Sequence, residues 1–373
     1  MNKIELLDNC AKIREAMEER VFMKYKFSII LIILFTVFIS GCDNKYEERM
    51  ARINSVLLDN VLKTEAAIKT PEKEAVIKTA ENNCNCKRIQ PFYLEIGDKN
   101  GKIISASVPN VSIYRGWTPM LIASASKWIW AAYALEKKGA APGSDEDHYL
   151  KMLSGYTNMN DIFCTAADTV NDCFIKANTN GNNNDLSTEN EDKFYYNSGN
   201  FQAYAVDKLN LGGKIGTELA AEVMSYLGTD LNLTYSMPVP AGGILMTPAS
   251  YRLFLMKILK GQLQISQYLG YNAVCTQKAD CPSDVAYTPV PDSESWHYSY
   301  GHWVEDDPNN GDGSFSSPGL FGFYPWINQD KTLYGIVARW DPLNGNASIE
   351  SVYCGMLIRK AYIEGREQTS DCY

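Results

Sequence analysis

A serine and a lysine three positions apart, Ser124 and Lys127, stand in the stretch of this chain best suited to chemistry: Thr118-Pro119-Met120-Leu121-Ile122-Ala123-Ser124-Ala125-Ser126-Lys127-Trp128-Ile129-Trp130. A turn at Pro119 precedes good helix formers with no internal Gly or Pro. A helix beginning near Ser124 sets both side chains on one face, because residues three apart are neighbours there. A serine hydroxyl is a poor nucleophile until a base takes its proton. A lysine can be that base only where burial or positive surroundings lower its pKa. The apolar flanks supply burial, and a helix N-terminus favours a developing alkoxide over an ammonium. Ser126 is also close to Lys127 but lacks the spacing. Alone the pattern is weak, since Ser-x-x-Lys arises by chance on the order of once in a chain this long.

Other chemistries find less support. The three histidines, His148, His297 and His302, form no evident Ser-His-Asp arrangement, and no Gly-x-Ser-x-Gly turn is present. His302, in an aromatic strand, reads as a packing residue. Tyr196, Trp128 and Trp130 read as core or cleft wall, and Glu305-Asp306-Asp307 as a solvated loop. Cys84-Asn85-Cys86 has no second cysteine pair or nearby His to complete a zinc site. No metal and no cofactor are expected.

The net charge of −9 argues against a nucleic-acid partner. Near the N-terminus Met23-Lys24-Tyr25-Lys26 precedes an apolar run, Phe27 to Ile39, that ends in Ser40-Gly41-Cys42. A basic start, a short apolar run and small residues at the cut make an export signal, and the run is short for a spanning helix. Met23 to Cys42 is a complete signal by itself, so Met23 reads as the true start. Eight further cysteines follow: Cys84, Cys86, Cys164, Cys173, Cys275, Cys281, Cys354 and Cys372. An even number in an exported chain reads as disulfides. Cys164–Cys173 and Cys275–Cys281 would close small loops, leaving Cys84 and Cys86 to pair with Cys354 and Cys372 in either order.

Helical periodicity covers 45–67, and a charged stretch, 67–84, reads as a tether or loose helix. Strands are expected at 90–96 and 102–108 around Asp98-Lys99-Asn100-Gly101, a hairpin turn. The Ser124 helix should end near Gly139. Short helical patches at 148–153, 201–209 and 218–227, with an Asn-rich insert at 178–192 too polar to pack, make 140–235 a mostly helical lobe. A helix over 249–263 and strands at 296–304, 319–327 and 333–340 follow, with a closing helix over 346–363. Strands at both ends of the chain with helices between them predict an α/β (α+β) fold: one antiparallel sheet built from N- and C-terminal segments, flanked by helices, with the helical lobe inserted. The expected domains are a leader over 1–41, an anchored tether over 42–88 and a catalytic domain over 89–373.

Several of these segments together resemble one family. Residues 118–127 resemble the Ser-x-x-Lys entry of class C β-lactamases and their serine-hydrolase relatives, which include penicillin-binding peptidases, esterases and 6-aminohexanoate-oligomer hydrolases. Lys193-Phe194-Tyr195-Tyr196-Asn197-Ser198-Gly199 resembles the Tyr-x-Asn motif. Tyr156-Thr157-Asn158 fits the bare pattern too, but Met152-Leu153-Ser154-Gly155 resembles an earlier loop of such chains. Ala241 to Pro248 resembles the segment that rejoins the sheet domain, and Tyr298 to Val304 a Tyr-Gly-x-Gly-Trp strand. The resemblance runs from about residue 89 to the C-terminus. Ile39-Ser40-Gly41-Cys42 resembles the lipobox of bacterial lipoproteins, which implies lipid on Cys42, a membrane anchor, and a place on the periplasmic or cell-surface side.

The resemblance implies a catalytic set of Ser124, Lys127 and Tyr195, with Asn197 orienting Lys127 or binding substrate. It places Ser316, Ser317 and Gly319 on the substrate-binding strand, with the oxyanion hole formed by the Ser124 N–H and one N–H near Ser317. The third motif departs from the family: Gly313 to Tyr324 carries no Lys or His where a cation would hold a substrate carboxylate. That favours hydrolysis of a small-molecule ester, amide or peptide-like substrate through a Ser-Lys-Tyr acyl-enzyme. A β-lactamase or D-Ala-D-Ala carboxypeptidase, and a catalytically silent binding protein of the same fold, are the alternatives.

Overall fold

The computed structural model describes residues 71–177, 186–369 and Cys372. The leader, Cys42 and the helix expected over 45–67 lie outside these residues. The described chain is organised on an eight-stranded antiparallel sheet. Its strands are β1 (Phe92–Asp98), β2 (Gly101–Val108), β3 (Val274–Cys275), β4 (His297–Ser299), β5 (His302–Glu305), β6 (Ser314–Ser316), β7 (Tyr324–Ile327) and β8 (Leu333–Ala338), in the spatial order β2-β1-β8-β7-β6-β5-β4-β3.

The first and last strands of this list are neighbours, second and third from one edge of the sheet. β1 pairs with β8 from Tyr93 opposite Ala338 to Asp98 opposite Leu333. The hairpin from β1 to β2 turns where expected, because the Asp98 carboxylate accepts the N–H groups of Asn100 and Gly101 at 2.7 and 3.1 Å. The expected strand over 296–304 is a hairpin, broken at Tyr300-Gly301, where Gly301 adopts φ +68°. Aromatic residues recur on both sides of the turn, so composition alone hid it. Of the strand expected over 319–327 only 324–327 forms, since Gly319 and Gly322 close a turn on Phe323 and Gly319 respectively. The short strand β6 carried too few apolar residues to be expected.

Helices cover both faces of the sheet. On one side lie α1 (Pro71–Asn82) and α4 (Ala347–Glu364), which pack on each other. On the other lie α2 (Ser126–Lys138) and α3 (Pro248–Leu259). Within the stretch expected as a tether or loose helix, 71–82 is a packed helix. Pro71 occupies the first turn, where its missing N–H is harmless, and Ala75, Val76, Thr79 and Ala80 are buried. Among the described residues, packing against the sheet domain thus includes 71–82.

Both chain ends are cross-linked: Cys84 pairs with Cys372 and Cys86 with Cys354, while Cys164–Cys173 and Cys275–Cys281 close the expected small loops. The inserted lobe carries helices at Ser144–Leu150, Val170–Ala177, Gly199–Ala203 and Gly216–Leu227. Part of the Asn-rich insert does pack. Leu186–Glu191 forms a strand against Ser154–Tyr156, since a backbone ladder needs no apolar side chains.

Glu305 and Asp307 do not belong to a solvated loop. Glu305 is fully buried under α4, bound by Arg359 at 2.8 Å and by the Tyr324 hydroxyl. Arg359 also holds Asp312 at 2.6 Å and lies over the Trp326 ring. Asp307 accepts the N–H groups of Ser295, Asn309 and Asn310. Buried carboxylates persist only when paired in this way.

Candidate active site

α2 is the buried axis of the site. Every residue from Ser126 to Leu135 is buried, the pattern of a helix covered on all sides. Gly139 ends it in the left-handed region at φ +65°, its N–H closing on Leu135 O. The start differs from the expected helix at Ser124. Ala123–Ala125 form a tight 3₁₀ turn, and the α-helix begins at Ser126. Ala123 sits at φ +45°, a conformation side chains disfavour. Such strain persists only where surroundings enforce it. Here they do: the Ile122 N–H bonds Ile244 O, and the Tyr251 hydroxyl bonds Ala125 O at 2.9 Å. The turn lifts Ser124 out of the buried helix into a cleft.

Two glycines let the backbone close around this turn. A Cβ on Gly301 would lie 2.3 Å from Lys127 O, and one on Gly319 would lie 2.1 Å from Ile122 O. Each position admits no side chain.

Lys127 is buried beside Ser124. Its Nζ donates to Ser124 Oγ at 3.0 Å and to Ala241 O at 3.1 Å, and lies 4.7 Å from the centre of the Tyr196 ring. Burial pulls its pKa down to about 8, against the pull of the Asp161 carboxylate, which raises it. About a tenth is thus the neutral amine at pH 7. Ser126 turns inward, where its hydroxyl accepts the Ile244 N–H.

Tyr195 is not beside this pair; Tyr196 is. Tyr196 lines the cleft with Ser124, and its hydroxyl interacts with the side chains of Ser124 and Trp303. Burial pushes its pKa up to about 12. Tyr195 points the other way, its ring 5.3 Å from Tyr287 on a neighbouring parallel strand. In extended chain successive side chains face opposite sides, so a one-position shift in a motif exchanges cleft for exterior. The signal was available. Phe194 is fully apolar and must face inward, and Tyr196 shares its side: both rings contact Tyr298 and Trp303.

Asn197 takes neither role expected of it. Its Oδ1 accepts the N–H of Met159 and of Gly199, and its Nδ2 donates to Met159 O. It thereby clamps the 159–161 segment, and this segment brings Asp161 to the lysine. The Asp161 carboxylate is a residue the sequence did not reveal. Its Oδ2 accepts the Ser198 hydroxyl at 2.8 Å and is close to Gly242, while Oδ1 is buried with no hydrogen-bond partner. Burial raises its pKa, countered by Lys127 and by Ser198. No periodicity or motif marks Asn160-Asp161, so nothing in the sequence singles it out.

On the strand side, Ser317 Oγ donates to Ser124 O at 3.1 Å and so ties the strand exit to the turn that carries Ser124. Ser316 is fully buried beside Glu305, on the α4 side of the sheet, and does not face the cleft. Gly319 contributes backbone fit. His302 is buried and neutral, its pKa pulled down to about 4 by burial. Its ring stacks on Trp128, with one nitrogen on Tyr300 O and the other on the Gly270 N–H.

The cleft in front of Ser124 holds about 220 Å³. Its walls are Pro289, Val290, Pro291, Trp296, Trp303, Pro318, Leu320, Ile349 and Val352, with Gly345, Asn346 and Ser348 at one side.

No protein-family model matches the sequence, and no curated protein matches it. Solved structures do resemble the fold. EstCE1, a hydrolase with promiscuous acyltransferase activity, is 11% identical, with 78% of this chain and 98% of that one covered at a TM-score of 0.56. A D-stereospecific amidohydrolase from Streptomyces sp. is 12% identical over 76% and 98% at a TM-score of 0.51. The octameric penicillin-binding protein homologue from Pyrococcus abyssi is 11% identical over 79% and 77%, also at 0.51. With the mixed α/β architecture and the large antiparallel sheet, these likenesses show that this chain has the fold shared by β-lactamase-related hydrolases.

Proposed function

We propose that the protein is a serine hydrolase that cleaves an ester or amide through an acyl-enzyme on Ser124. The observation that carries this is the 3.0 Å contact between Ser124 Oγ and a buried lysine whose pKa lies near 8. As Oγ attacks the carbonyl carbon, its proton passes to the neutral Lys127 amine. Tyr196, protonated at neutral pH, gives its proton to the leaving alcohol or amine and regains one from the Lys127 ammonium beneath its ring. Water then attacks the acyl-enzyme by the same path in reverse, freeing the acid and Ser124.

The carbonyl oxygen becomes an oxyanion that needs N–H donors. Ser124 supplies one. Of the next backbone positions across the cleft, Ser317 N–H bonds Pro325 O, Pro318 has none, and Gly319 N–H bonds Phe323 O. Leu320, a cleft residue whose N–H has no backbone partner among the described residues, is the position assigned to the second.

Replacing Ser124 by Ala should abolish labelling by a fluorophosphonate probe. Labelling that persists on another residue would sink the assignment. Export and a lipid on Cys42 belong to the same proposal. The lipobox-like Ile39-Ser40-Gly41-Cys42 and the four disulfides, which suit an oxidising compartment, support it. Metabolic labelling with a palmitate analogue, lost in Cys42→Ser, is the check.

A further inference from the structure

We infer that the end of the sheet beside the cleft docks on a phospholipid bilayer, through exposed apolar side chains on three neighbouring loops. The choice of a bilayer rests on the proposed lipid anchor at Cys42. It is independent of the acyl-enzyme chemistry.

Residues 109–119 leave β2 at Val108, opposite Phe92. Residues 318–323 enter β7 at Tyr324, opposite Val337, and 339–346 leave β8 at Ala338, opposite Tyr93. Strand pairing thus brings all three loops to one end of the sheet. They also bind one another. The Tyr114 hydroxyl donates to Trp340 O at 2.9 Å, the Asp341 N–H bonds Phe321 O, and the Phe321 and Trp340 rings meet edge to face. Leu320, Gly345 and Asn346 belong both to these loops and to the wall of the cleft. Single exposed apolar residues are ordinary, whereas a cluster marks a contact surface. Val111, Ile113, Trp117, Leu320, Trp340 and Leu343 are all exposed here, Trp117 to 74% and Leu343 to 97%.

Charge points to the same occupant. The ionised side chains of the three loops are Arg115, Arg339 and Asp341. Arg339 and Asp341 pair at 2.9 Å. The Arg115 guanidinium donates to the carbonyls of Tyr114 and Asn110, so among the described residues no carboxylate offsets it. A chain of net charge −9 therefore presents here a face with one cation and no unpaired acid. Tryptophan and tyrosine favour the headgroup level of a bilayer, and arginine its phosphates. The anchor permits this orientation. α4 runs from these loops to Gly365, about 27 Å at 1.5 Å per residue, and Pro71 lies beside Gly365. Residues 43–70 can reach up to roughly 90 Å, so a lipid on Cys42 leaves the loops free to turn onto the bilayer.

The test reconstitutes the full chain into vesicles of phosphatidylcholine and phosphatidylglycerol, with and without bromine on the acyl chains. Bromine quenches indole rings that enter the bilayer. Trp117 and Trp340 are exposed, the other five of the seven tryptophans are buried in the fold, and the apolar run 27–39 holds none. Brominated lipid should lower tryptophan emission by about a quarter, the share of two rings in seven. Trp117→Phe with Trp340→Phe should abolish the quenching. Val111→Asp with Ile113→Asp and Leu343→Asp, at exposed positions outside the cleft wall, should reduce it roughly threefold or more, with fluorophosphonate labelling of Ser124 retained. Wild-type emission unaffected by bromine, or quenching that survives either set of substitutions, overturns the inference. Self-association in detergent that the aspartates abolish, without any bromine effect, overturns it in favour of a second copy. Quenching without palmitate incorporation upholds the docking and removes the lipid on Cys42, and incorporation without quenching does the reverse.

Discussion

Tyr195 and Tyr196 are neighbours in sequence that face opposite sides of one short strand. Tyr196 lies under the Lys127 ammonium with its hydroxyl near Ser124, while Tyr195 rests on Tyr287. The pair offers an internal control. Tyr196→Phe removes the proposed proton donor and should lower kcat on an ester about 10²–10⁴-fold. Tyr195→Phe keeps the ring contact and should stay within a few-fold of wild type. Equal losses in both, or a loss confined to Tyr195→Phe, would return the catalytic role to Tyr195.

The pH dependence follows from the state of Lys127. In the proposed mechanism the neutral amine is the base, and its pKa is about 8, so kcat/KM should climb about tenfold per pH unit below 8 and flatten above it. Asp161 raises that pKa by its charge. Asp161→Asn keeps an oxygen for the Ser198 hydroxyl and deletes the charge, so the rising limb should move to lower pH. A limb that stays in place, or moves upward, would show that Asp161 does not act on Lys127.

Arg359 holds two carboxylates and a phenol beneath β5–β7. Arg359→Ala leaves Glu305 buried without its cation, and should cost about 3–5 kcal/mol of stability. Denaturant unfolding measures this directly. A loss under about 1 kcal/mol would mean that Glu305 is carried neutral in the native protein.

The Cys86–Cys354 bridge closes a loop spanning most of the domain. Cys86→Ser should reduce stability by about 2–5 kcal/mol, with Ser124 labelling retained below the new melting point. An unchanged melting point would indicate that the reduced form is equally constrained by the packing of α1 on α4.

The sequence disclosed the sheet from both chain ends, the Ser124–Lys127 pair and the small-loop disulfides, because each depends on local pattern or spacing. It misplaced what depends on direction. Tyr195 and Tyr196 differ by one pleat, and motif spacing alone carries no facing, although Phe194 did. Asn197 and Ser316 matched their motifs in type, but their side chains turn to Met159 and to Glu305. Asp161 stayed hidden, since its place beside Lys127 is set by the Asn197 clamp on residues 159–161, a tertiary contact with no periodicity. The helix at 71–82 looked like a tether or loose helix because its buried stripe is made of small residues, Ala75, Val76, Thr79 and Ala80, legible only against its partner α4.

The contact of Gly301 with Lys127 O, and that of Ser317 Oγ with Ser124 O, join residues nearly two hundred positions apart. Ser124 is therefore synthesised long before its surroundings. A chain emerging from the ribosome carries Ser124 early, yet the walls that raise its reactivity arrive only with β5 to β7 and α4. Contacts of this separation are made late in folding. Reaction with an active-site probe should thus report completion of the whole domain, and fragments ending before residue 320 should carry an inert serine.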